Sequence, residues 1–482
     1  MTTAQRNAIN NPAAGLIIFN TTNASLEMFD GLYWTPLVKA NTGAGTLAGK
    51  KLYGGLNNDV IYAMQPANDG GFFMAGSSTS SNTGTLTGQN NNSTTTDMWV
   101  MKTDATGHLE WQKLLGGVNS DIAYSVSATS DGGCIVAGNS ALPSGGIFTG
   151  PGFGATDGLF IKLSASGVVE WYKLFGGSTT DNVLSVQQTV DGGYIACGSS
   201  ASSNTGTLTG INGNGINDGW IIKMDNTGNL QWQKLFGGIS VDLLYSITQT
   251  ADGGYFGVGS SSSSNTGTLP GVTNNGGSDV WIIKMDMTGN IEWQKLLGGA
   301  SDENVNGYSR TAVKQTTDGG YIVVASSASG NSGTLTGLTN NSASGSYDYW
   351  IIKLNGFGTL QWQKLLGGSA DEYCYAVIQT TDGGYVIAGS SVSSNSGTLL
   401  DYNSNGGIDS WILKLNNSGN LQWQKLLGGS MLDIVYSIAQ VNTGFVVAGQ
   451  TYSAGTGYLS GISGNGSSEG WFFKLDSFGN TY

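Results

Sequence analysis

One segment is written seven times along this 482-residue chain, and a repeat of that length constrains the fold more than any other feature. Its clearest word is Lys-Leu-x-Gly-Gly, beginning at Lys51, Lys113, Lys173, Lys234, Lys295, Lys364 and Lys425. The spacings are 62, 60, 61, 61, 69 and 61 residues. Each unit holds four short runs rich in aromatic and β-branched residues, separated by turn signals. In the fourth unit they are Tyr245 to Thr250 (a), Tyr255 to Gly259 (b), Trp281 to Met285 (c) and Ile291 to Leu296 (d). Four strands per unit, about 60 residues per unit, seven units and no helical periodicity predict an all-β, seven-bladed β-propeller.

The ends of the chain predict closure. The last unit stops at Lys474-Leu-Asp-Ser-Phe-Gly-Asn-Thr-Tyr482, just after its strand c. A spare strand d stands at the front, in Gly45 to Tyr53. That N-terminal strand is expected to complete the last blade and pair an edge otherwise left open. The expected domains are 1–39, a small segment outside the repeat, and 40–482, the propeller. In the first, Thr2 to Ile9 reads as a capped helical turn, and Gly15 to Trp34 reads as a β-hairpin with an apolar side.

Periodicity accounts for most of the unusual residues. Twelve of the 13 Trp begin strand c (Trp99, Trp220, Trp281, Trp350, Trp411, Trp471) or sit in strand d (Trp111, Trp171, Trp232, Trp293, Trp362, Trp423). A residue recurring once per blade is a packing element between neighbours. Fourteen of 17 Lys occupy one strand c and one strand d position, which suits a solvated or Asp-paired ladder. Asp69, Asp131, Asp191, Asp252, Asp318 and Asp382 precede Gly-Gly in the a–b turn, where a carboxylate accepts backbone N–H bonds. This Thr-x-Asp-Gly-Gly-aromatic word resembles the Asp-box of sialidase-type propellers, a turn-stabilising motif.

Subtracting the repeat leaves little for catalysis. The single His, His108, sits in a c–d turn where other blades carry Asn, and only Arg6 and Arg310 are present. No Ser-His or Cys-His relay can be assembled. Cys134, Cys197 and Cys374 read as small buried hydrophobes, neither disulfide nor zinc ligands. A net charge of −13 repels phosphate backbones and anionic lipid, so neither nucleic acid nor membrane insertion is expected. The chain is therefore expected not to be an enzyme.

Binding is expected on the long b–c connections, which share the word Ser-Asn-Thr-Gly-Thr-Leu-Thr-Gly at Ser81 to Gly88 and Ser203 to Gly210. The candidate residues are Asn82, Asn204, Asn265, Asn331, Tyr347, Asn395 and Tyr402, a polar and aromatic set suited to sugar hydroxyls. The competing reading is that the Leu of the word packs back on its blade. Oxygen-rich loops can hold Ca2+, but Asn rather than Asp stands at the repeated position, so no cofactor is expected. The fifth unit carries the largest break of symmetry, with five extra residues near Asp302 to Arg310 and three before Asp348.

Met1-Thr-Thr-Ala-Gln-Arg-Asn-Ala-Ile, Asn11-Pro-Ala-Ala-Gly-Leu-Ile-Ile-Phe-Asn-Thr-Thr and Phe29-Asp-Gly-Leu-Tyr-Trp34 resemble a segment of phage tail-fibre proteins. They are also similar to segments in secreted surface proteins of gliding-type bacteria, whose propeller repeats the 60-residue unit resembles. The resemblance implies a tail-fibre or receptor-binding component of a phage or phage-like injection particle, localised to the tail. Its partners would be a cell-surface glycan or protein receptor, other particle proteins through residues 1–39, and two further copies in a homotrimer. The alternative it implies is an extracellular bacterial surface adhesin, and a third class is a glycoside-processing enzyme.

Overall fold

In the computed structural model, the described residues are 9, 17–20, 25–29, 34–38, 49–91, 95–141, 148, 152–305, 312–341 and 345–481. The chain divides into two compact units, Met1–Ala48 and Gly49–Tyr482. The first contains a three-stranded antiparallel sheet, Ile17–Asn20, Ser25–Phe29 and Trp34–Val38, in sequential order. The expected hairpin is thus extended by a third strand, and Pro36 falls on that strand at the sheet edge, where a missing N–H is tolerated. The helical turn expected over Thr2 to Ile9 lies outside the described residues apart from Ile9.

The second unit is a seven-bladed propeller of antiparallel sheets. Blade 4 is representative: a is Asp242–Gln249, b Tyr255–Ser261, c Asp279–Met285 and d Ile291–Leu297. The seventh blade joins Asp433–Val441, Gly444–Thr451 and Glu469–Leu475 to Lys50–Tyr53 from the front of the chain. Its closing pairs are Gly470 with Tyr53, Trp471 with Leu52, Phe472 with Lys51 and Phe473 with Lys50.

Tryptophan joins the blades. Every strand c Trp is buried, and Trp220 Nε1 donates to Gln233 Oε1 on strand d of its own blade (3.1 Å). The strand d Trp reaches the next blade: Trp232 meets Tyr255 edge-on at 5.9 Å between centroids and covers Gly289 of the following c–d turn. A Cβ at Gly289 would stand 2.7 Å from that indole, so only glycine lets the two blades close.

Of the two readings of the strand c lysines, solvated or Asp-paired, the structure shows the Asp-paired one. Lys102, Lys162, Lys223, Lys284, Lys353 and Lys414 are buried, each paired with the Asp of its own a–b turn at 2.7–2.9 Å. The long apolar stem lies within the blade while the ammonium locks the turn from beneath. The three cysteines are free and buried.

Strand a is the inner edge of every blade, so its unpaired backbone groups need partners. Side chains of the neighbouring blade supply several: Val186 N donates to Ser125 Oγ (3.1 Å), Met64 N to Ser437 Oγ (3.2 Å) and Gln249 N to Gln187 Oε1 (2.9 Å). In six blades strand a also carries a β-bulge, which re-aims one residue: Tyr62, Tyr124, Leu184, Tyr245, Tyr375 or Tyr436. Opposite each bulge stands a glycine, and a Cβ on Gly76, Gly198 or Gly259 would overlap a strand a carbonyl. Blade 5 alone has Ala325 there, and the described parts of its strand a are Glu303–Asn304 and Val313–Gln315.

Candidate functional site

Strands a run from the d–a connections, which share a face with the long b–c loops, to the opposite face at the a–b turns. The bulge residues form a layer around the axis near the loop face. Tyr62 touches Tyr124 (5.6 Å between centroids) and Tyr436 (5.4 Å), and Tyr436 touches Tyr375 (5.1 Å). Leu184 and Tyr245 continue the layer, packed in one cluster with Tyr124. Five blades thus place a tyrosine where a strand without a bulge would turn the side chain to the other face.

A cavity of about 240 Å³ opens between blades 4 and 5 beside this layer. Tyr245, Ser260 and Ser278 line it with Asp302, Asn304 and Tyr347. Tyr347 packs against Tyr373 of blade 6, with centroids 5.4 Å apart. Burial raises the Tyr347 hydroxyl, and the nearby Asp302 carboxylate adds to that, so it stays a neutral donor. The site therefore combines aromatic surface, a carboxylate acceptor and several hydroxyls.

The remaining candidates have different positions. Asn82, Asn204, Asn265, Asn331 and Asn395 all have left-handed backbone, with φ between 45° and 51°. Each accepts with its side-chain oxygen from a backbone N–H six residues on, as Asn204 does from Gly210 N (2.7 Å). Asparagine suits both demands, because it tolerates αL and closes the loop on itself. The following Gly-Thr-Leu or Gly-Tyr-Leu forms a 3₁₀ turn in five blades, with the Leu fully buried at Leu86, Leu208, Leu335, Leu399 and Leu459. Tyr402 is half-buried against the core, and its backbone carbonyl accepts from Asn395 N (2.7 Å). The shared word is thus a structural clip, and Tyr347 is the candidate that faces a cavity.

Carboxylates meet at every blade junction, a feature not read from the sequence. The Asp that opens strand c abuts the Asp or Glu that opens strand a of the next blade, on either side of the first glycine of Gly-Gly. Asp181 is fully engaged, accepting from Ser200 and Ser202 hydroxyls and from Gly177 N. Its partner Asp157 is buried and has Oδ1 without a hydrogen bond, as have Asp218, Asp279, Asp348 and Asp409. Burial pushes all five of these carboxyls up, and at Asp157, Asp218 and Asp348 the facing carboxylate pushes further; Asp348, opposite Glu372, reaches about 7. A signal existed: the partners stand 24 residues apart at six junctions. Their sevenfold recurrence and complete burial make them part of the scaffold. Among the described residues, no three His, Cys, Asp or Glu side chains come together in a way that could hold a metal ion. No helix of the described residues is long and apolar enough to cross a membrane.

Comparison with known proteins bears on the N-terminal unit. Residues 1–49 match the family described as a phage tail like trimerisation region. No curated protein matches the chain. Among solved structures, a protein of unknown function from Dyadobacter fermentans is 10% identical with a TM-score of 0.41, over 88% of this chain and 99% of that one. An apocarotenoid oxygenase from Synechocystis is 10% identical with a TM-score of 0.41, over 84% and 88%. The Pan2 WD40 domain of Neurospora crassa is 12% identical with a TM-score of 0.34, over 78% and 85%. At such identities these likenesses say nothing of activity.

Proposed function

We propose that this chain is a non-enzymatic receptor-binding component of a phage tail or phage-like injection particle. Residues 1–49 would gather three copies, and each propeller would present its loop face to a glycan on a target cell. The match of residues 1–49 to a phage tail like trimerisation region carries this reading. The cavity at Tyr347 supports the glycan: an aromatic face packs on the C–H face of a sugar ring, while Asp302, Asn304 and the serines suit its hydroxyls. Three propellers on one stalk raise a weak single contact to a useful avidity without new contacts.

Light scattering on the full chain and on a chain starting at Asn41, which keeps the closing strand, tests the assembly. A mass three times the 49.9 kDa chain that falls to one on truncation supports the reading. Monomers in both cases would refute self-assembly and make the segment a docking peptide, as in a bacterial surface complex. Screening the trimer on immobilised bacterial glycans tests the face: Tyr347→Ala should lower retention at least tenfold, and unchanged retention would remove this cavity from the site.

A further inference from the structure

The repeat accounts for 14 of the 17 lysines, and the three outside it are Lys39, Lys50 and Lys314. Lys314 lies in strand a of blade 5, in its second described part. Below the tyrosine layer, strands a enclose a cavity of about 100 Å³ on the propeller axis, and Lys314 is part of its wall. Hydroxyls of Ser125, Ser185, Ser246 and Ser437 converge on the same space from four other blades. Lys314 also lines a second cavity of about 190 Å³, which continues past Pro66, Gln379 and Gln440 toward the a–b turns.

The lining of neither cavity includes an Asp or a Glu, and Lys314 is the one charged residue in both. Every other position at this level of strand a is neutral: Gln65, Ser127, Gln187, Thr248, Ile378 and Ala439. Ser127 and Gln187 use it to accept a backbone N–H of the next blade, which an ammonium cannot do. An ammonium taken out of water without a counter-charge is costly, and interior charges are ordinarily paired. Lys314 is half-buried on this wall, and desolvation depresses its amine. The protein offers no partner for it among the described residues; of the serines around the same space, Ser437 donates to Met64 O (3.2 Å), whereas Ser125 accepts from Val186 N and keeps its own proton to give.

We propose that the axial cavity is a binding site for a small oxyanion, held by the Lys314 ammonium and the Ser125 and Ser185 hydroxyls and reached from the a–b turn face. The anion would supply the missing counter-charge. Phosphate or sulfate, with several acceptor oxygens, fits donors on three blades around one cavity better than a single carboxylate does. The site lies on the side of the tyrosine layer away from the long loops, so it is distinct from the glycan cavity.

The test is calorimetric titration of the full chain with sodium phosphate, sodium sulfate and sodium acetate at constant ionic strength. Two variants accompany it, Lys314→Met and Lys314→Gln; the second installs the residue that blades 1 and 3 already carry at this level. Wild type should take up one tetrahedral anion per chain, and both variants should bind it at least tenfold more weakly. Acetate binding as tightly as phosphate would overturn the tetrahedral choice and assign the site to a carboxylate. No saturable heat with any anion, or equal binding by wild type and Lys314→Gln, would overturn the proposal. Should Lys314→Met fail to fold, the glutamine variant alone decides.

Discussion

Asp348→Asn tests the junction chemistry most directly. Asp348 is fully buried and faces Glu372 across Gly367. Its Oδ2 accepts from Asn341 N (2.8 Å), and its Oδ1 has no donor. Burial raises its pKa, and the Glu372 carboxylate raises it further, from 3.8 to about 7. A folded pKa above the unfolded one means that the native state holds the extra proton. Stability is then greatest below about pH 4 and falls as pH rises through about 7. A shift of about three units at about 1.4 kcal/mol each puts the cost of ionised Asp348 at no more than about 4 kcal/mol by pH 8. Asparagine carries no charge, and its amide can donate to Glu372 where Oδ1 now has nothing to accept. Urea unfolding at pH 8 should therefore show the variant more stable than wild type by about 2–4 kcal/mol. At pH 4 the gain should shrink below about 1 kcal/mol, because folded wild type then holds its proton and pH 4 lies close to the unfolded pKa of 3.8. A variant less stable than wild type at pH 8 would refute the reasoning, and would indicate that a cation bridges Asp348 and Glu372. An equal gain at both pH values would trace the effect to packing instead.

Three further outcomes follow from the same geometry. Gly198→Ala places a Cβ on the carbonyl of Asn182 at a bulge and should cost about 3 kcal/mol or abolish folding, whereas Ala325→Gly in blade 5 should cost about 1 kcal/mol, both read from urea midpoints. Asp252 is held at about 2: burial would raise it, but Thr250 and Lys284 outweigh that, so its contribution exists above about pH 4 and fades as pH falls to 2. With that side chain 58% exposed, Asp252→Asn should lose only about 1 kcal/mol at pH 7 and nothing at pH 2, and an equal loss at both would assign the effect to the turn alone. Asn204→Ala should cost about 1–2 kcal/mol, since alanine strains at φ 51° and leaves Gly210 N unpaired, while Asn204→Gly should recover much of that.

The fold was legible because repetition fixed strand count and closure at once: a strand d at Lys50 and none after strand c of the last unit admit few solutions other than a ring. The candidate site was legible only in part. The b–c loops drew notice for their asparagines, yet a polar side chain at positive φ cannot be told from a ligand-facing one by residue type. The tyrosine layer was hidden because a bulge shifts the face on which a side chain emerges, and nothing at Tyr62 announces the shift except the glycine opposite, at Gly76. The carboxylate pairs were hidden because an entire strand d separates Asp157 from Asp181. Their meeting is a property of neighbouring blades, visible only once the ring is built.

The seam of the ring lies at Lys50–Tyr53, which also joins the N-terminal unit to the propeller. Four residue pairs hold that strand to Gly470–Phe473, aided by Lys50 over the Tyr458 ring (3.6 Å) and by the Tyr53 hydroxyl bound to Gly107 O. Any pull between the two units therefore arrives first at this strand. Tension strong enough to peel these four residues away would strip the seventh blade of its outer strand and uncover the edge of Glu469–Leu475.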